Sequence, residues 1–264
     1  MTSATGETVR VEKMDHIAFV TIDRPEVLNA LNEEGHARLA RAWQDVEGDD
    51  EVWVAVLSGA GNRAFCVGGD LKATKARETS HSPRPPREGG FGGLTEYFDL
   101  SKPVIAAVHG WCLGGGFELA LACDLIVATS DARFGLTEPR RGLVPTGGGP
   151  HRLVRQLPLK FAMELLLTGT TIDAERAHVM GIVNEIVPAG QHLAAATRWA
   201  HEILECAPLA VQALKQQALS GLELPLREAV RATYERTEIQ RRSLDRQEGL
   251  NAFAERRPPR WSGK

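Results

Sequence analysis

The sequence predicts an α/β core followed by a helical C-terminal portion, and three observations carry that prediction. Short β-branched apolar runs alternate with helix-forming runs up to about residue 190. Beyond it, helix-forming patterns continue almost alone. Glycine clusters stand at joints between the two kinds of run, at 68–69, 114–116 and 147–149. Alternation of this kind builds an α/β layer structure, and strand, glycine turn and helix recur at 52–75 and 104–123. The chain is expected to divide into a core over residues 1–195 and a helical region over 196–264.

Each element has a local reason. His16–Ile22 is a strand by its alternating and β-branched residues, and DRPEVLNAL (23–31) turns the chain toward a helix. Asn32–Val46 carries an apolar face of Leu39, Trp43 and Val46 and stops at Gly48. Val52–Ser58 is a buried-type strand followed by the glycine-rich segment GAGNRAFCVGGDLKAT. Residues 77–93 crowd proline, glycine and both charge signs, which predicts a mobile surface loop. A short strand opens at Val104, the glycine triplet interrupts it, and Phe117–Ala122 is helical by its Leu and Ala content. DLIVA is a further strand, and the passage to the glycines at 147–149 is irregular. From Leu159 onward helices dominate, interrupted by a strand in GIVNEIVP (181–188). Gly190, Pro208 and Pro225 bound helical stretches at 191–207, 208–220 and 225–256. The many charges of the last stretch mark a solvated or interface face.

Composition narrows the function. A chain of 264 residues, 43% hydrophobic and 25% charged, buries a substantial core without difficulty. Its formal net charge of −3 argues against a nucleic-acid partner. No apolar run approaches the roughly 20 residues that span a bilayer, and the first residues carry neither a signal nor a transit pattern. The four cysteines lack CxxC spacing and the eight histidines are dispersed, so no metal is expected, and the cytoplasm is the expected setting. No GxSxG elbow, GxxxxGK loop or GxGxxG fingerprint is present.

The stretch HGWCLGGGFELALACD (109–124) is the centre of the chain, and taken alone its glycine run reads either as a tight, well-packed strand-to-helix turn or as a site for an anionic group. Glycine at a strand-to-helix joint permits close backbone approach, and the first turn of a helix leaves N–H groups free where the dipole favours negative charge.

Three blocks, AFCVGGDLK (64–72), KPVIAAVHGWCLGGGFELALACDLIVA (102–128) and FGLTEPRRGLVPTGGGPHRL (134–153), resemble the signatures of the crotonase, or enoyl-CoA hydratase/isomerase, superfamily. The likeness continues through DRPEVLNAL, residues 165–188 and APLAVQALK (207–215), so it covers nearly the whole chain. It implies a ClpP-like spiral of ββα units with a C-terminal helical trimerisation region, assembled as a homo-trimer or as a hexamer of paired trimers. It also implies acyl-CoA thioester ligands, with coenzyme A as part of the substrate and no separate cofactor.

By that resemblance the N–H groups of Gly69 and Gly115, both expected in exposed turns, form an oxyanion hole for the thioester oxygen. Glu118 and Glu138, 20 residues apart, are the two acid–base carboxylates. Two donors aimed at a developing enolate lower the barrier, and water addition needs a base for water and an acid for C2. The helix N-terminus suits Glu118 as the anionic base. The setting of Phe134, Leu136 and Pro139 suits Glu138 as the acid, because a dry carboxyl holds its proton.

The resemblance further places the backbone of Val27, Leu28 and Ala30 along the CoA channel, and Asp70, Leu71 and Lys72 beside the thioester and pantetheine. Lys72, Arg24, Arg84 and Arg87 are candidates for the phosphates. Enoyl-CoA hydration is the activity implied. A narrower likeness to the carnitinyl-CoA (crotonobetainyl-CoA) dehydratase branch rests on residues 89–108, 114–128 and 243–264. A trimethylammonium substrate favours an aromatic or acidic lining, and Phe91, Tyr97, Phe98 and Trp111 are the aromatic candidates, although ordinary packing accounts for each as well. A non-catalytic acyl-CoA-binding paralogue is the reading from a different class.

Overall fold

The computed structural model describes residues 8–80, 83 and 86–264. In chain order the elements are β1 (Val9–Met14), β2 (Ile17–Ile22), α1 (Glu33–Gly48), β3 (Val54–Gly59), β4 (Ala64–Cys66) and α2 (Leu71–Thr79). Next come β5 (Val104–Val108), β6 (Trp111–Leu113), α3 (Gly115–Ala122), β7 (Leu125–Thr129), β8 (Arg133–Gly135) and α4 (Gly149–Gln156). They continue with α5 (Leu159–Thr168), β9 (Ile172–Asp173), α6 (Ala174–Val179), β10 (Glu185–Val187) and α7 (His192–Leu204). Four helices close the chain: α8 (Pro208–Gly221), α9 (Leu226–Ala229), α10 (Glu235–Arg241) and α11 (Leu244–Glu255).

Two sheets run through the core. The larger has the order β1-β2-β3-β5-β7-β10 and is parallel except for the β1–β2 hairpin; the smaller has the order β4-β6-β8-β9. Three successive units, β3-β4-α2, β5-β6-α3 and β7-β8-α4, each send one strand to the large sheet and the next to the small one. The recurrence legible at 52–75 and 104–123 is the first two of these turns, and the third completes a spiral.

Both faces of the large sheet are covered, which is why β3 and β5 are buried at every position. Ala55, Leu57, Ala106 and Val108 face the side packed by Leu39, Trp43 and Val46 of α1. Val54, Val56, Ile105 and Ala107 face Ala195, Ala196 and Ala200 of α7, whose small side chains share that second core. The α7 helix thus straddles residue 195 and packs on the sheet. Cys66, Cys112 and Cys123 are buried free thiols within the core, acting as the small apolar groups their surroundings predict. Among the described residues no helix is long and apolar enough to cross a membrane.

Several local expectations need correction. The strand at 16–22 has a hairpin partner, β1, that pattern reading passed over because VRVEKM is an exposed, charged edge strand with one buried residue. The apolar run from Val104 is two strands in two different sheets, split at His109–Gly110. The segment 77–93 starts as the end of α2 and finishes against the core, with Gly92 and Gly93 buried; positions 81, 82, 84 and 85, including the candidate Arg84, lie outside the described residues.

Candidate active site

The glycine triplet converts a strand of the small sheet into α3. Gly114, at φ 54°, turns the chain out of β6 while its N–H donates to the Gly135 carbonyl at 2.9 Å. A methyl group on Gly116 would stand 2.0 Å from the Cys66 carbonyl oxygen, so only glycine lets α3 begin this close to β4. The same approach brings the two bends together: a methyl on Gly68 would be 2.9 Å from the Gly115 nitrogen. The first bend is fixed by the Leu31 N–H donating to the Gly68 carbonyl (2.8 Å) and the Asp70 N–H donating to the Leu31 carbonyl (2.9 Å). Neither the Gly69 nor the Gly115 N–H has an acceptor among the described residues. Contrary to expectation neither bend is exposed: Gly115 is buried and Gly69 half-buried, which keeps water from competing for those donors.

Both carboxylates come to this point. Glu118, one turn into α3, is 2% exposed, and its Oε1 accepts the Gly149 N–H at 2.8 Å. Burial pushes its carboxyl above the usual range, while the Gly149 and Gly147 amides and the Arg152 charge pull the other way. Its anion is therefore held by the α4 N-terminus, not chiefly by the start of its own helix as the sequence suggested. Glu138 opens a short 3-10 turn after β8, its Oε1 in the space a side chain on Gly114 would need (2.7 Å). Phe134 and Leu136 beside it are fully buried, although Pro139 is exposed. The Glu138 Oε2 is buried without a partner. Burial raises this carboxyl first of all; its own backbone amide lowers it, and the Glu118 charge raises it further. A Glu118 anion therefore favours the protonated form of Glu138.

The remaining positions differ in how they are used. Val27 and Leu28 are half-buried and Ala30 buried, in a turn against 67–70 where Leu28 and Asn29 adopt left-handed φ of 56° and 58°. The Ala30 carbonyl accepts from Arg24 Nη1 at 2.5 Å, and the Leu28 carbonyl accepts the Val67 N–H at 3.2 Å. Asp70 begins α2, with Oδ1 accepting the N–H groups of Lys72 and Ala73. Leu71 and Lys72 are exposed beside it. Arg24 and Arg87 do not reach out as phosphate ligands here: Arg24 lies against Ala30 and Asp70, and Arg87 pairs with Glu33 at 2.8 Å.

Asn29, which pattern reading did not single out, holds the turn. Its side chain is buried, accepts the Arg24 N–H and donates to the Ala60 and Ala64 carbonyls at 2.9 and 2.7 Å. Asn29→Ala strands these groups, and the expected loss is roughly 3 kcal/mol of unfolding free energy, read from the urea midpoint. Gly149 and Arg152 were also missed as contributors. Arg152 Nη2 donates to the Thr95 carbonyl at 2.7 Å, tying the loop before β5 to α4. Of the four aromatic candidates only Phe91 comes beside Glu118, where both border Gly147: Trp111 and Phe98 are exposed, and Tyr97 packs on the core.

The chain as a whole has known relatives. A family model described as enoyl-CoA hydratase/isomerase matches residues 12–264. The chain belongs to the enoyl-CoA hydratase/isomerase family. It is 38% identical to (E)-benzylidenesuccinyl-CoA hydratase of Thauera aromatica over 255 residues, covering 97% of this chain and 99% of that one. It is 39% identical to carnitinyl-CoA dehydratase of Salmonella typhi over 265 residues, covering 98% and 100%. The solved structure of enoyl-CoA hydratase EchA1 from Mycobacterium marinum superposes with a TM-score of 0.90 at 42% identity, covering 98% and 100%. The spiral of ββα units described above is accordingly the crotonase fold of this family.

Proposed function

We propose that this chain catalyses the reversible addition of water to a 2-enoyl-CoA, giving a 3-hydroxyacyl-CoA. The observation that carries the reading is the meeting of two acceptor-free amides, Gly69 and Gly115, with two carboxyls that burial raises, that of Glu138 raised further by the Glu118 charge. In this reading the thioester oxygen lies between the two N–H groups, which bind the enolate-like transition state more tightly than the ground state. Glu118, as the anion, takes a proton from water while the water oxygen bonds to C3. The C2–C3 π electrons move onto the thioester as an enolate. Glu138, as the acid, then returns a proton to C2, so the proton removed from water is balanced by the one delivered. The Glu118 carboxyl is the base because the Gly149 amide is aimed at its Oε1, and Glu138 the acid because its Oε2 has no donor to hold a charge.

The turn at Val27, Leu28 and Ala30, with Asp70, Leu71 and Lys72, borders the coenzyme A portion in this account. The chemistry requires no metal and no separate cofactor. Buried free thiols fit a reducing cytoplasm. Exposed apolar side chains on the last helices, among them Leu222, Leu226, Val230, Leu250 and Phe253, support the helical region as the surface that joins copies into a trimer or a pair of trimers.

A second reading, dehydration of carnitinyl-CoA, is favoured by the aromatic ring of Phe91, a group able to face a trimethylammonium, which lies against Gly115 with the Phe91 Cβ beside Glu118. One assay separates the readings: loss of enoyl absorbance with crotonyl-CoA, longer 2-enoyl-CoAs and crotonobetainyl-CoA at matched concentrations. Turnover of crotonyl-CoA is the expected result. Preference for crotonobetainyl-CoA by an order of magnitude supports the second reading, and tight acyl-CoA binding with no turnover overturns both in favour of a binding protein.

A further inference from the structure

We propose that Phe91 is the residue that sets acyl selectivity, its ring forming a fixed wall beside C2 of the acyl group and excluding substrates branched there. The inference rests on the acyl-CoA reading above. A methyl on Gly115 would stand 2.4 Å from Phe91 Cζ, and one on Gly69 would be 3.9 Å from Cε2, so one ring edge packs on Gly115 and faces Gly69. On the carboxylate side, a methyl on Gly147 would meet Glu118 Oε2 at 2.7 Å and Phe91 Cβ at 3.1 Å. The side chain thus runs from beside Glu118 to the two oxyanion glycines, bordering the interval that C2 of a bound enoyl group has to occupy.

The surrounding chain is built to hold that ring still. Gly89, Gly90, Gly92 and Gly93 all have positive φ, between 61° and 75°, so the backbone folds tightly on either side of Phe91. A methyl on Gly93 would stand 2.4 Å from Ala40 Cα of α1, and one on Gly92 would meet Leu119 of α3 at 2.6 Å. The Phe91 N–H donates to Thr95 Oγ1 (2.8 Å), the Gly92 N–H to His36 Nδ1 (2.9 Å), and Trp43 Nε1 to the Gly92 carbonyl (3.0 Å). The His36 ring packs edge-on against Phe91 at 4.6 Å. Anchors from α1, α3 and α4 fix the backbone on either side of Phe91, and the His36 ring backs its side chain against a branched acyl group.

The test measures binding of butyryl-CoA and 2-methylbutyryl-CoA by calorimetry, together with kcat/KM for crotonyl-CoA and 2-methylcrotonyl-CoA. The unmodified chain, Phe91→Leu and Phe91→Ala are compared. A single methyl in a tight apolar pocket changes discrimination by about 10- to 200-fold. The unmodified chain is expected to favour the unbranched member of each pair by at least about tenfold. Phe91→Ala brings that preference close to one, and Phe91→Leu gives an intermediate ratio if the alanine variant does not fold. A preference unchanged in both variants, or absent from the unmodified chain, overturns the proposal. Selective binding without hydration of any enoyl-CoA leaves the role of Phe91 standing and removes the hydratase reading instead.

Discussion

Glu138→Gln is expected to lower kcat for hydration of crotonyl-CoA by about 10²- to 10⁴-fold with little change in KM, and Glu118→Gln to do the same. Glutamine keeps the shape of each side chain, and at position 118 it keeps an oxygen to accept the Gly149 N–H. What is lost is the proton inventory. The two carboxyls act as a unit, so the double variant loses far less than the product of the single losses. Near-normal turnover in either single variant removes that residue from the mechanism.

The same pair makes a stability prediction of opposite sign. Burial raises both carboxyls in the folded protein. A folded-state value above the unfolded one means that the native form binds protons more readily. The associated stability is fully present below the unfolded value and is lost as pH rises through the folded values. Deprotonation of the pair as pH rises therefore costs the native chain more than the unfolded one. Glu138→Gln, which removes a titrating carboxyl whose Oε2 has no partner, is expected to unfold at a temperature no lower than the unmodified chain at pH 8, and with a flatter pH dependence. A lower unfolding temperature at pH 8 would mean that its charge is held by a donor and that its role as acid is misassigned. In turnover, kcat/KM is expected to follow a bell whose limbs both lie above the ordinary carboxylate range and belong to the pair.

The second large effect is structural in origin and catalytic in outcome. Gly116→Ala places a methyl 2.0 Å from the Cys66 carbonyl oxygen, a backbone atom that cannot swing aside. The start of α3 must then shift away from β4, carrying the Gly115 amide away from Gly69. Overpacking of this kind costs about 1–3 kcal/mol of stability, and loss of one oxyanion donor costs about 2.7–4 kcal/mol of barrier. The expected variant is folded by circular dichroism, melts earlier, and has kcat reduced at least about a hundredfold. A Gly116→Ala enzyme with unchanged kcat would mean that the Gly115 amide does not serve the reaction.

Much of this was legible before any coordinates, because the relevant signals are local. The glycine bends at 68–69 and 114–116 mark places where backbones approach, and Glu118 lies two residues beyond the second bend, whereas Glu138 was legible only through the resemblance of FGLTEPRRGLVPTGGGPHRL to a family signature. The spiral was half visible as two turns of one recurrence. What stayed hidden depends on contacts between distant segments. The wall residue Phe91 sits in a stretch whose proline, glycine and charge content reads as mobile. Its order comes from His36 on α1, 56 residues from Gly92, and from Arg152 on α4, 57 residues from Thr95. The Gly149 amide belonged to a visible glycine cluster, but nothing in 147–149 says which carboxylate it will meet. Arg24 and Arg87 read as phosphate ligands because a cation in a loop has no visible partner until Asp70 and Glu33 fold against them.

The central claim concerns one oxygen atom, and a crystal structure with butyryl-CoA bound reads it directly. The thioester oxygen is expected about 2.7–3.1 Å from both the Gly69 and Gly115 nitrogens, with Glu118 and Glu138 on either side of C2 and C3. A thioester oxygen hydrogen-bonded to neither amide, or a C3 beyond the reach of both carboxylates through one water, would contradict the account.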